Sequence, residues 1–351
     1  MNIRTFEHSD IESLPFFFII GRARSGTTML RMFFDAHPEV CIPIESPVIL
    51  HLYQKYGKQK EWTTGNLTGF YNDLLKIKDF EKWEIDRENL KSGLLGFNGR
   101  LSFQSLIKYI YLNYQSIFLK TDIKLIGDKN PVYSVNINEI FKIFPEAKYI
   151  HLTRDYRDHI LSMVKTGLLT PVVLFLAYRW KLSAKSLLRM KRKHPGSFYT
   201  IRYEDVVSDP GRYIKEMCSF LCIRYVPQVL EYAQTSESKY REQIEAKLEA
   251  HHKKVFEPVS TDRINVWKSE MNDKDVRTAD LIVGKYAELS GYTRKYNRFD
   301  LLLYLKLLPA IIREHLSYSL KVVTGWIPYK VKMQIRKYLP AIAYAISKAG
   351  K

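Results

Sequence analysis

Acidic residues are scarce in this chain: 37 Asp and Glu stand against 55 Lys and Arg over 351 residues, a formal charge of +18. Such a field draws nucleotides, nucleic acid or an anionic membrane surface, and does not choose among them. Cysteine is scarcer still. Cys41, Cys218 and Cys222 are too few and odd in number for a disulfide framework, and no histidines are spaced around the Cys218–Cys222 pair as a zinc site needs. All three read as structural thiols of a reducing compartment. No run reaches the ~18 uninterrupted apolar residues of a membrane span. Glu7, Asp10 and Glu12 precede any apolar run, unlike a signal peptide. The expected location is cytoplasmic, with attachment to the inner membrane face left open. There is no internal repeat and no low-complexity linker.

What is present is globular: 46% hydrophobic and 26% charged residues. The length suits one large α/β core with insertions, or two ordinary domains. Phe16 to Ile20 is an uninterrupted apolar run ending at Gly21, as a parallel strand buried on both faces requires. Val40 to Ile42, Ile123 to Ile126, Tyr149 to Leu152 and Phe198 to Ile201 read as four more strands. Helical patterns at Thr27 to Phe34, Ile137 to Phe144, Arg157 to Lys165 and Leu174 to Lys193 separate them. Alternation of this kind predicts an α/β fold, a P-loop-like parallel sheet flanked by helices on both faces. Residues 55–120 break the rhythm and read as a helical insertion. Residues 299–351 read as a basic helical extension of a catalytic domain at 1–298.

In a wound parallel sheet ligands sit beyond the carboxyl ends of the strands. Each strand is followed by reactive-looking residues: Gly21-Arg22-Ala23-Arg24-Ser25-Gly26-Thr27-Thr28, then Glu45-Ser46, Asp128-Lys129-Asn130-Pro131, Thr153-Arg154-Asp155 and Arg202-Tyr203-Glu204-Asp205. Parallel strands bring all five to one edge. The first cluster, between a strand and a helix, suits a phosphate cradle of free backbone N–H groups at a helix start. Thr27 stands where nucleoside-triphosphate hydrolases place lysine, so Arg24 is the expected source of positive charge.

The segment from Gly21 to Leu30, followed by Asp35-Ala36-His37-Pro38-Glu39-Val40, resembles the 5'-phosphosulfate loop of the sulfotransferase superfamily, and above all that of tyrosylprotein sulfotransferases and their bacterial relatives. Arg154 and Ser162, eight residues apart, match the family's 3'-phosphate signature. The resemblance spans roughly residues 16 to 292. It implies transfer of a sulfuryl group from 3'-phosphoadenosine 5'-phosphosulfate to a hydroxyl, leaving the desulfated nucleotide PAP, with no metal. Arg24, Ser25, Gly26, Thr27 and Thr28 would hold the 5' end. Arg154 and Ser162 would hold the 3'-phosphate, with Tyr203 beside the nucleotide. Glu45 matches the family's catalytic glutamate and Lys129 its Lys-Asp-Pro lysine. Ser260 would serve the transition state, and Arg263 and Lys268 would close over the nucleotide. Ile44 and Pro47 depart from the Glu and Arg common in the tyrosylprotein family. That favours a lipid, sterol or sugar alcohol over a tyrosine peptide. His37 is a rival base, expected at the wrong end of the sheet.

Substrate choice is expected from the insertion, whose Trp62, Phe70, Tyr71, Trp83, Phe97 and Phe103 line either a pocket or a subdomain core. The extension has Glu314 as its sole acid after Asp300, with basic residues interleaved among leucines and isoleucines. It reads as an interfacial membrane anchor, or as helices folded on the catalytic domain. Two other functions share some features. A small-molecule kinase has a similar loop but needs the missing lysine. A nucleic-acid-binding module fits the charge, but no helix-turn-helix, zinc finger or RNA-binding signature is present.

Overall fold

The computed structural model describes residues 8–97, 99–166, 172–235 and 259–323. The basic run at Lys253 and Lys254, and the extension beyond 323, lie outside the described residues. The strands of the main sheet are β1 (Phe16–Ile20), β2 (Val40–Cys41), β5 (Leu125–Lys129), β6 (Lys148–Thr153) and β7 (Phe198–Arg202). They pair in the order β2-β5-β1-β6-β7, every pair parallel.

The β1 run is apolar throughout because both faces are covered. Phe16, Phe18 and Ile20 enter one core, Phe17 and Ile19 the other, and all are buried. Burying such a side chain contributes about 1.5–3 kcal/mol. The first core is closed by α3 (Val48–Tyr56), α4 (Thr64–Leu74), α5 (Arg87–Gly96), α6 (Phe103–Leu112) and α7 (Ile137–Ile143). The second is closed by α2 (Thr27–Asp35), α10 (Tyr203–Ser208) and α11 (Pro210–Leu221). A third cluster joins α8 (Tyr156–Thr166), α9 (Val173–Lys193), the helix Asp273–Val283 and the terminal helix Leu301–Val323. Helices on both faces of a parallel sheet are the expected fold class.

Two expectations change. The third main strand ends at Lys129, not at Ile126, so Asp128 and Lys129 belong to β5 rather than to the loop after it. Both are buried; the Tyr133 hydroxyl donates to Asp128 at 2.5 Å, and Lys129 is held by an ion pair. Those contacts let a charged pair end a buried strand. The irregular stretch also begins earlier than residue 55, at α3, and holds a two-stranded antiparallel ribbon, β3 (Glu61–Trp62) with β4 (Gly99–Arg100), besides helices. Its aromatics are core. Trp62, Phe70, Tyr71, Trp83, Phe97 and Phe103 are all buried in the first cluster, with edge-to-face contacts such as Trp62 on Phe70 at 5.4 Å. They are spent on packing.

Candidate active site

At the C-terminal edge the chain leaves β1 through Gly21 and turns into α2. Two residues take left-handed backbone: Arg24 at φ 70° and Gly26 at φ 89°. A Cβ on Gly26 would lie 2.5 Å from the Tyr203 ring, so only glycine fits. Among the described residues no side chain caps α2, and its first N–H groups have no carbonyl one turn back to bond. This is the anion-binding end of a helix.

Lys129, at the tip of β5, is buried and reaches two neighbours. Its Nζ donates to Thr28 Oγ1 at 3.3 Å and to Glu45 Oε2 at 2.6 Å. Glu45 follows β2, and its side chain is 39% exposed. The ammonium thus joins the first turn of α2 to a carboxylate open to solvent.

Arg154 follows β6 and is buried. It donates to the carbonyls of Arg24 and Arg263, each at 2.9 Å, and its guanidinium stacks 4.8 Å from the centre of the Tyr203 ring. Among the described residues its Nε has no hydrogen-bond partner. The Arg24 Nε donates to the Ser162 hydroxyl at 3.3 Å, so the loop and α8 are tied together. Burial, then repulsion from Arg263 and Arg154, holds the Arg24 pKa below its usual value. Converging guanidiniums, an orphaned buried N–H and an uncapped helix start fit a ligand with phosphates at two ends.

Several supporting residues were assigned no role from the sequence. Asp158, on α8, accepts the backbone N–H groups of Asn265 and Trp267, both at 2.8 Å. It fixes the late segment over the loop. Trp180 donates to the Arg154 carbonyl at 3.1 Å. Arg157 pairs with Asp155 and lies 3.7 Å from the Trp267 ring centre. Glu204 accepts the Asp155 N–H at 2.9 Å and the Tyr292 hydroxyl at 3.0 Å; burial raises its pKa. Burial, then the charges of Arg22 and Arg154, hold the pKa of buried His159 well below its usual value. The density of charged residues from Thr153 to His159 and the strand-end cluster holding Glu204 were the hints of this network.

Of the expected residues, the loop Arg24 to Thr28, Glu45, Lys129, Arg154, Ser162 and Tyr203 come together, and Arg263 joins them through its carbonyl. Ser260 is exposed, and among the described residues its hydroxyl accepts only the Asp262 N–H, at 3.1 Å. Lys268 is exposed, and its side chain makes no hydrogen bond or ion pair among the described residues. The structure therefore does not bring these two to the loop. His37 lies at the far end of the sheet, its ring on the Arg224 carbonyl at 3.0 Å. A cavity of about 330 Å³ opens at that same end, between Glu39, Lys124, Lys148 and Arg224, away from every strand-end cluster.

A protein-family model described as "Sulfotransferase family" matches residues 15–228, and one described as "Sulfotransferase domain" matches residues 175–292. The chain belongs to the sulfotransferase family, the enzymes dependent on 3'-phosphoadenosine 5'-phosphosulfate. Protein-tyrosine sulfotransferase 1 of Danio rerio is 22% identical over 286 residues, covering 80% of this chain and 73% of that protein. Omega-hydroxy-beta-dihydromenaquinone-9 sulfotransferase Stf3 of Mycobacterium tuberculosis is 29% identical over 126 residues, 30% of this chain and 31% of that protein. The sulfotransferase domain from the curacin biosynthetic pathway has the same fold, with a TM-score of 0.51 at 21% identity over 80% of this chain and 99% of that one. Family membership sets aside the kinase and nucleic-acid readings.

Proposed function

We propose that this sulfotransferase moves the sulfuryl group to the hydroxyl of a lipid, sterol or sugar alcohol, with Glu45 as the base. The observation that carries the reading is the Lys129 ammonium, shared between Thr28 Oγ1 at 3.3 Å and Glu45 Oε2 at 2.6 Å. The donor supplies an activated sulfuryl group on a nucleotide leaving group. The uncapped start of α2 and Arg24 receive its 5' end; Arg154, with Ser162, receives the 3'-phosphate. Tyr203 stacks on Arg154 and keeps its fork aimed. The acceptor hydroxyl gives its proton to Glu45 as its oxygen attacks the sulfur. Lys129, already in place, offsets charge on the departing oxygen. Positioning and electrostatics do most of the work, as in phosphoryl transfer. Ser260 acts only if its loop moves toward the site, and Lys268 and Arg263 belong to the same closing segment.

Ile44 and Pro47 flank Glu45 where tyrosylprotein enzymes commonly carry Glu and Arg, which favours an uncharged alcohol. The match to a sulfotransferase of an omega-hydroxylated menaquinone points the same way. A second reading, a protein tyrosine, draws support from the protein-tyrosine sulfotransferases among the relatives. The test is an acceptor panel with labelled donor: a long-chain alcohol, a sterol, a sugar and an acidic tyrosine peptide. Turnover of the peptide alone would reverse the acceptor assignment. Beside it, Glu45→Ala should lose about 10²–10⁴-fold in turnover and keep PAP binding. Full turnover by Glu45→Ala would remove it from the base role.

A further inference from the structure

The terminal helix Leu301–Val323 starts where Asp300 accepts the Leu303 N–H at 2.9 Å. One side of it packs on the body. Leu307, Ala310 and Ile311 join the third core, Glu314 is buried, and His315 Nδ1 lies 2.8 Å from the Tyr178 hydroxyl on α9. The opposite side is a stripe of Leu302, Leu305, Pro309, Ile312 and Leu316, at helical steps of three and four. All five are exposed, Leu302 at 81%, and Leu301 and Phe299 extend the stripe toward the start of the helix. Exposed apolar residues scattered singly need no explanation, but a continuous stripe does.

Charge says what covers it. Lys306 and Arg313 are exposed along one border of the stripe, seven residues apart. From residue 317 to the end the chain carries Lys321, Lys330, Lys332, Arg336, Lys337, Lys348 and Lys351 and no acid. A second copy of this basic segment would repel the first. An anionic surface would not, and a bilayer also solvates the leucines. Among the described residues no helix is long and apolar enough to cross a membrane.

We infer that this outward face of Leu301–Leu316 lies on the surface of an anionic bilayer, with Leu302, Leu305, Ile312 and Leu316 in the acyl boundary and Lys306 and Arg313 at the headgroups. The helix does both things the sequence offered as alternatives: it packs on α9 by one face and keeps the other for lipid.

The test is co-sedimentation of the full chain with vesicles of phosphatidylcholine and phosphatidylglycerol, beside vesicles of phosphatidylcholine alone. The wild type should partition to the anionic vesicles, and added salt should weaken it. Leu302→Glu with Leu305→Glu should cut partition about tenfold or more. Lys306→Glu with Arg313→Glu should lose about fivefold or more per charge, and only on the anionic vesicles. Both pairs alter exposed positions, so unchanged thermal melting keeps folding out of the result; Ile312→Glu is the substitute if a pair melts early. Absence of wild-type binding, or binding that survives Leu302→Glu with Leu305→Glu, overturns the inference. So does a wild-type dimer in solution that those two substitutions dissociate, since a second copy would then own the face.

Discussion

Gly26→Ala separates backbone strain from a steric clash at the centre of the site. Gly26 sits at φ 89°, ψ 7°. An alanine there costs about 1–2 kcal/mol, offset by about 0.4–1 kcal/mol of lost freedom in the unfolded chain. The new methyl would also lie 2.5 and 2.9 Å from two carbons of the Tyr203 ring. Tyr203 is buried and backed by Arg154, so the ring cannot swing away freely. Forcing a methyl into such packing costs about 1–3 kcal/mol more. The sum is about 1–4.6 kcal/mol, with a mid-range of about 3 kcal/mol. Gly291 is the control: its φ is 84°, but a Cβ would meet only the flexible Arg202 side chain, at 3.3 Å. Gly291→Ala should therefore cost about 1 kcal/mol. Urea midpoints followed by tryptophan fluorescence read the difference. Titration calorimetry with PAP should show Gly26→Ala weakened about tenfold or more and Gly291→Ala unchanged. Equal midpoints for the two variants would refute the idea that the Tyr203 ring fixes the loop.

Arg154→Lys should bind PAP about tenfold or more weakly, because one ammonium cannot reach the Arg24 and Arg263 carbonyls and still stack on Tyr203; calorimetry with wild-type affinity would contradict this. Asp128 has its pKa raised to about 6 by burial. Between the unfolded value near 4 and the folded value near 6 the folded state holds the extra proton, so stability falls as pH rises through that window. Asp128→Asn should remove that slope, so melting temperatures of the two proteins should diverge from pH 4 to 6 in favour of the variant; parallel profiles would count against it. Arg22 has a buried Nε with no hydrogen-bond partner among the described residues, and burial, then Arg179, pushes its pKa down to about 10. Arg22→Met should stabilise the ligand-free protein by about 1–4 kcal/mol, read as a higher urea midpoint; a lower one would show that the guanidinium is already satisfied.

The parts of this molecule that a sequence announces are those in which local chemistry and global structure agree. The β1 run is one: a strand covered on both faces has no polar alternation to hide it. The turn Arg24 to Thr28 is another, because its glycine is demanded by a positive φ and a ring 2.5 Å away. Arg154 and Ser162 were legible by spacing, but their contacts were not. Ser162 meets Arg24, and Arg154 holds two carbonyls, one of them 109 residues away. Such long-range bonds leave no periodic trace. The same holds for Asp158, to which no sequence pattern assigned a role. It is the acceptor for two backbone amides more than a hundred residues later.

The misplaced end of β5 has the same cause and points further. Gly127, Asp128 and Lys129 are a poor continuation of an apolar strand, and local pattern ends it at Ile126. The sheet carries it on regardless, because Tyr133 binds Asp128 and Glu45 binds Lys129. A buried ammonium and a buried carboxyl side by side cost stability unless each has a partner. The Lys129 partner is a carboxylate that stays 39% exposed, so the ion pair is not sealed into the core. An arrangement that holds a cation rigidly from below and leaves its anion reachable from above is ill suited to stability alone. It is well suited to a site in which the carboxylate must meet an incoming hydroxyl.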